Sequence, residues 1–326
     1  MRPAAPALFL SSLGMFLMLA ANPQPARAAA SVTLTSGLNQ TRTTIPVSVE
    51  NTRATCVLDT GSSVMLVSPA LAREAGLHSQ GGTFEVAPDG RTYADRQTVI
   101  GRLTVAGNVM RDVPALISSN LQGSSALCGY DFFAHFPTLI DRYHRTVTLF
   151  PAASKLAHLR CLPVTLGPRV PLATVEINGT WLEDVVLDSG MAGGGALWDG
   201  VRSRLRQPLI ASADYMTNRS AIRDGFACGA SAWVRYAAGA PETSMPICTE
   251  PRRPDGYNGI IETNLPGVHA IAVDYPHKRV CFDVAEDSQA WTQAPAQEQR
   301  QTQVAAPASG NGQAWSRFNS LRPPRG

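Results

Sequence analysis

The feature that most constrains this chain is a carboxylate set inside an apolar run. Cys56-Val57-Leu58 leads in, Asp59-Thr60-Gly61-Ser62-Ser63 interrupts, and Val64-Met65-Leu66-Val67 leads out. The same arrangement returns as Val185-Val186-Leu187-Asp188-Ser189-Gly190-Met191-Ala192. Apolar flanks of this kind suit buried strands. An ionised carboxylate among them is costly unless it is paired or neutralised. Two such carboxylates, each at the head of its own repeat, satisfy that requirement if they face one another and share one proton.

The surrounding sequence repeats with them. Residues 32–36 and 43–49 alternate as short strands, with Pro46 marking an edge or bulge in the second. Ser68-Pro69 opens a helix that Gly76 ends. Residues 83–105 form a hairpin turning at Pro88-Asp89-Gly90, a candidate flap, with Tyr93 just beyond the turn. Leu127-Cys128-Gly129 leads into a short helix from about Asp131, and strands at 138–141 and 146–150 close the unit around Arg142–Arg145. The second half replays this order. A strand over 170–177, the turn Asn178-Gly179, a strand over 182–187 into Asp188 and a helix over about 200–205 come first. Gly259-Ile260-Ile261-Glu262 then stands where Ala126–Gly129 stood, and a closing hairpin turns at Tyr275-Pro276-His277-Lys278. Asp141 and Asp274 are separated by nearly the same distance in sequence as Asp59 and Asp188, so this is an internal repeat.

The ends differ in character. Arg2, an apolar stretch from Ala5 to Ala21, and the small-residue sites Ala26-Arg27-Ala28 and Ala28-Ala29-Ala30 make residues 1–30 a signal peptide. The predicted organisation is therefore a signal peptide over 1–30, a first lobe over 31–150, a linker over 151–160, a second lobe over 161–284 and a disordered tail over 285–326 rich in Gln, Ala, Pro, Ser and Gly. The expected location is the periplasm or the exterior. An uncleaved N-terminal anchor would instead make the protein membrane-tethered; after cleavage no stable membrane insertion is expected. Six cysteines in an exported chain suggest disulfides, Cys228 with Cys248 being the preferred local pair. A net charge of +3 without basic–aromatic clusters argues against nucleic acid. There is no Cys-x-x-Cys, no His-Glu-x-x-His and no Gly-x-Ser-x-Gly, so neither a metal, a redox pair nor a serine nucleophile is indicated, and no cofactor is expected.

Taken together, Asp59-Thr60-Gly61-Ser62-Ser63, Leu127-Cys128-Gly129 and the hairpins Ile140-Asp141-Arg142-Tyr143-His144-Arg145 and Val273-Asp274-Tyr275-Pro276-His277-Lys278-Arg279 resemble the retropepsin-like lobes of bacterial exported aspartyl proteases. The resemblance covers about residues 32–283. It implies an all-β fold of two homologous acid-protease β-barrel lobes with short helices and a cleft between them. It also implies an aspartic endopeptidase acting on a peptide or protein substrate, with Asp59 and Asp188 as the pair that activates water. Thr60, Gly61, Ser62, Ser189 and Gly190 would support the two loops, the hydroxyls of Thr60 and Ser189 bracing one loop to the other. Two lobes in one chain would make a monomer sufficient. Met191-Ala192-Gly193-Gly194-Gly195 departs from the Ser-Ser that follows Gly61, and Glu262 stands in place of Gly129. These departures define the alternative, a catalytically inactive protein of the same fold that binds peptides or a partner protein.

Overall fold

The computed structural model describes residues 30–34, 42–86, 92–123, 125–150, 159–167, 169–191, 194–211, 222–223, 226–236, 242–250, 257–264 and 268–284. The described residues are mostly β, with two closed six-stranded barrels and three short α-helices among them, Pro69–Glu74, Tyr130–Phe133 and Asp199–Arg202. The expected residues around the flap turn, Pro88, Asp89 and Gly90, lie outside the described residues, as do the signal segment up to Ala29, most of the linker and the tail.

The first barrel runs in the order Thr44–Val49, Thr52–Leu58, Ser125–Cys128, Met65–Val67, Asn108–Ile117, Thr92–Val105, and closes where Ser48 pairs with Thr104. Alternation decides which face is inside. Ile45, Val47 and Val49 are buried while Pro46 between them faces out. Pro46 is tolerated because the second neighbour of its strand pairs only at Ser48 and Val49. Thr52–Leu58 and Ser125–Cys128 pair in parallel, Leu58 beside Cys128, and a disulfide joins Cys56 to Cys128. Ser68 caps the first helix by accepting a hydrogen bond from the Leu71 amide, with Pro69 at its first position.

The second barrel repeats the first. Its order is Pro171–Ile177, Thr180–Asp188, Gly259–Glu262, Gly195–Trp198, Thr243–Glu250, Phe226–Arg235, closing where Glu176 pairs with Arg235. Thr180–Asp188 and Gly259–Glu262 again run parallel, with Asp188 beside Glu262. The hairpin into this strand turns at Asn178 and Gly179, both at positive φ, the geometry that Asn-Gly favours. The helix expected over about 200–205 is only Asp199–Arg202, and the chain continues past it as turns. The disulfide of the first barrel has no counterpart here. Val185 and Ile261, which occupy the matching places, are buried apolar residues instead.

A third sheet joins the two halves. Its order is Ala30–Thr33, Thr146–Leu149, Thr138–Asp141, Val268–Asp274, Arg279–Val284, Arg160–Pro163. Each closing hairpin forms, but it does not merely close its own lobe. Thr138–Asp141 pairs antiparallel with Val268–Asp274, Ile140 opposite Ile271, so the two hairpins lie edge to edge. The hairpin tips are themselves a repeat: His144 pairs with Asp141, and His277 with Asp274, which also takes Arg279. A disulfide between Cys161 and Cys281 fastens the outer edge of this sheet. Cys248 is also disulfide-bonded, and Cys228 stands opposite it in the ladder of Phe226–Arg235 with Thr243–Glu250. Disulfides of this number fit a secreted or periplasmic protein. Among the described residues no helix is long and apolar enough to cross a membrane.

Candidate active site

Each barrel delivers one aspartate at the end of its parallel pair. Asp59 follows Leu58, and its amide donates to the Cys128 carbonyl; Asp188 ends Thr180–Asp188 and its carbonyl accepts from the Thr263 amide. Both aspartates and Ser189 are fully buried, and Thr60 and Ser62 nearly so. The two loops meet at the junction of the barrels.

What holds them together is a reciprocal brace. The Thr60 hydroxyl donates to the Leu187 carbonyl at 2.7 Å and accepts from the Ser189 amide at 2.9 Å. The Ser189 hydroxyl donates to the Leu58 carbonyl at 3.0 Å and accepts from the Thr60 amide at 3.1 Å. A hydroxyl can donate once and accept twice, so each side chain satisfies a donor and an acceptor of the opposite loop. Buried amides and carbonyls need such partners, and a side chain without a hydroxyl would leave two of them unpaired.

Gly61 and Gly190 are required by close approach. A Cβ at Gly61 would lie 2.5 Å from the Asp188 carboxyl carbon, and one at Gly190 would lie 2.4 Å from that of Asp59. A sharp turn after each aspartate suggests glycine for its conformational freedom, but neither glycine stands at positive φ. The reason is spatial: each aspartate's carboxylate presses on the backbone of the other lobe's loop. Asp188 Oδ1 accepts from the amides of Gly190 at 2.8 Å and Met191 at 3.0 Å. The Ser62 hydroxyl donates to the Val64 carbonyl at 2.7 Å, fixing its own loop.

Behind the loops lie residues that motif reading passes over. The Tyr275 hydroxyl donates to the Thr60 carbonyl at 3.2 Å, crossing from the second hairpin to the first loop. Burial pushes its pKa well above the ordinary value, and the nearby Asp59 and Asp188 carboxylates add to the rise. Tyr275 stacks on Tyr130, over which the Arg169 guanidinium lies 4.5 Å from the ring centroid, and Arg169 pairs with Asp131. Burial raises the Asp131 carboxyl, while Arg169 opposes that rise. Asn264 Nδ2 donates to the Ser189 carbonyl. The sequence did hold one signal for Tyr275: it follows Asp274 as Arg142 follows Asp141, so the repeat pairs the two hairpin tips. Tyr93 and the strands flanking the expected flap form a hairpin, Val86 opposite Thr92. Among the described residues no group of three or more His, Cys, Asp or Glu side chains could hold a metal ion.

Two closed β barrels, each offering a buried aspartate on a loop braced to the other, define a protein of the acid-protease fold with two retropepsin-like lobes. Residues 45–135, which span most of the first barrel and the helices Pro69–Glu74 and Tyr130–Phe133, match the family described as gag-polyprotein putative aspartyl protease. No curated protein matches the chain.

Two outcomes follow from this geometry. Thr60→Val and Ser189→Ala should each lower unfolding free energy by about 1–3 kcal/mol, and the double variant should lose less than the sum, as read by urea denaturation in a double-mutant cycle. Tyr275 and Tyr236 both have raised pKa values in the folded protein, so the folded state keeps protons that the unfolded chain loses near pH 10. Their contribution is complete below about pH 10 and declines as pH rises above it. Melting temperature should therefore fall as pH rises above about 10, and less steeply in Tyr275→Phe.

Proposed function

We propose that this protein is an exported aspartic endopeptidase in which Asp59 and Asp188 activate a water molecule between them. The observation that carries the reading is the mutual packing of each aspartate against the other loop's glycine. Such a pair can divide base and acid work when one carboxyl is ionised and the other carries a proton. In that state the ionised carboxylate takes a proton from water as the water oxygen attacks the scissile carbonyl carbon. The protonated carboxyl donates its hydrogen bond to the carbonyl oxygen, where negative charge develops. Collapse of the tetrahedral intermediate breaks the C–N bond, and the proton taken from water passes to the departing amine. Thr60, Ser189, Gly61 and Gly190 hold the pair in register, Ser62 holds the first loop, and the hairpin carrying Pro88, Asp89 and Gly90 serves as a flap over the bound peptide.

The substrate is an extended peptide or protein segment, and one chain supplies both halves of the site, so a monomer suffices. The N-terminal segment directs export and is removed. The boundary expected at residue 30 would remove Ala30 from the strand Ala30–Thr33, whereas cleavage at the first of the two small-residue sites, after Ala28, leaves that strand whole for pairing with Thr146–Leu149. A second reading has one specific support: Met191 and Glu262 stand where the first lobe has Ser62 and Gly129, which suits a protein that binds peptides without cutting them.

A peptide-library cleavage assay between about pH 3 and 7 separates the two. Wild type should cut, and Asp59→Asn and Asp188→Asn should each lose about 10²–10⁴-fold in kcat while folding normally. Binding without cleavage in all three would establish the second reading instead. N-terminal sequencing of the exported protein should begin at Ala29; an intact Met1 would mean a tethered form.

A further inference from the structure

We propose that Glu262 is a positioning residue, whose buried carboxylate holds the backbone of the loop after Asp188 and through that loop sets the orientation of the Asp188 carboxylate. The catalytic consequence rests on the protease reading above; the structural role does not.

The parallel ladders place Glu262 where the first lobe has Gly129. Leu58 lies beside Cys128, and Asp188 beside Glu262. At Gly129 there is no room for a side chain, because a Cβ would lie 2.3 Å from the Val64 carbonyl oxygen and 2.7 Å from that of Ser62. The first loop thus rests directly on backbone, with the Tyr130 amide donating to the Ser62 carbonyl at 3.0 Å. A glutamate in the matching place cannot allow that packing.

The second loop is built differently. Gly194 donates its amide to Glu262 Oε2 at 2.7 Å, and its carbonyl accepts from the Glu262 amide at 2.9 Å. Gly194 stands at φ +122, and a Cβ there would lie 2.0 Å from the Pro246 carbonyl oxygen, so only glycine fits. The loop is therefore fixed at both ends by neighbouring residues of one strand: Thr263 donates to the Asp188 carbonyl, and Glu262 clamps Gly194. Between those ends lie Gly190 and Met191, whose amides hold Asp188 Oδ1. Glu262 thus holds Gly194 from the same strand whose Thr263 holds Asp188, the residue whose carboxylate accepts from Gly190 and Met191.

Glu262 is 6% exposed. Burial lowers the pKa of Arg142, on the tip of the first-lobe hairpin, and Glu262 acts against that fall, so the two charges favour one another. Tyr236, which donates its hydroxyl to the Glu262 carbonyl, is held protonated by burial and by the same carboxylate. Arg142 of the first hairpin thus feels the charge of the second loop's support, while Tyr275 of the second hairpin reaches the first loop.

Three variants test this by amide hydrogen exchange and by steady-state cleavage. Glu262→Gln keeps length and an acceptor oxygen but no charge. Glu262→Asp keeps charge but is one methylene too short to reach Gly194. Glu262→Ala removes both. In Glu262→Asp and Glu262→Ala, exchange at Gly190, Met191 and Gly194 should rise about tenfold, while exchange at Thr60 and Ser62 stays put. kcat should fall about 100-fold with KM little changed, as expected of a misplaced reacting group. Glu262→Gln should restore both readouts to near wild type. Wild-type behaviour in Glu262→Asp, or Glu262→Gln as impaired as Glu262→Ala, would overturn the proposal. If Glu262→Ala fails to fold, the Asp–Gln contrast decides. If wild type cuts nothing, the protease reading fails, and the exchange data alone decide the role of Glu262.

Discussion

The structure depends on two hydroxyls. Thr60 and Ser189 each reach into the opposite loop and satisfy one donor and one acceptor there. Without them, buried amides and carbonyls at the barrel junction would lack partners, which costs more than the bonds themselves contribute. With them, the two loops become one unit, and the glycines that follow the aspartates can press against the opposite carboxylates. The brace thus fixes two carboxylates close together in a buried place, an arrangement that no isolated strand end would adopt on its own. The rest of the molecule serves to present these loops: the parallel strand pairs support them from below, and the hairpin tips back them from behind.

The two halves solve the same problem by different means. In the first lobe, a disulfide between Cys56 and Cys128 joins the strands under the loop, and Gly129 lets backbone rest on backbone. In the second lobe, Val185 and Ile261 replace that disulfide, and Glu262 reaches Gly194 through its side chain. Tyr275 backs the first loop through its hydrogen bond to the Thr60 carbonyl, and in the second half Glu262 opposes the fall that burial imposes on the pKa of Arg142. The fold is therefore symmetric in its strands and asymmetric in its chemistry, which distinguishes the surroundings of the two aspartates.

Much of this was legible in the residues. The apolar runs around Asp59 and Asp188 announced buried strands, the repeat announced two lobes, and short hydroxyls beside each aspartate announced the brace. The helix begun at Ser68-Pro69 and the Asn178-Gly179 turn were readable because their signals are local, a cap and a pair of residues tolerant of positive φ. What escaped was non-local. Each closing hairpin is visible as alternation, but nothing within it says that Ile140 will stand opposite Ile271 in a shared sheet. The need for glycine at 61 and 190 looked like a backbone requirement and is a spatial one, set by a side chain in the other lobe. Glu262 was visible as a departure from its repeat, but the residue that answers it, Gly194, lay hidden in a glycine run that has no fixed partner in sequence.

The shared sheet also imposes an order in time. Its centre joins Thr138–Asp141 to Val268–Asp274, and its outer edges use Ala30–Thr33 and Arg160–Pro163. Pairings between such distant parts of a chain form late, because the intervening segment must be ordered first. A growing chain can complete the first barrel long before Val268 exists, since that barrel draws its strands from residues up to Cys128. The second loop, by contrast, needs Glu262 and Thr263, which are made long after the first barrel's last strand. Asp59 and Asp188 are therefore brought together only in a nearly finished molecule, so the nascent chain does not carry an assembled site through synthesis.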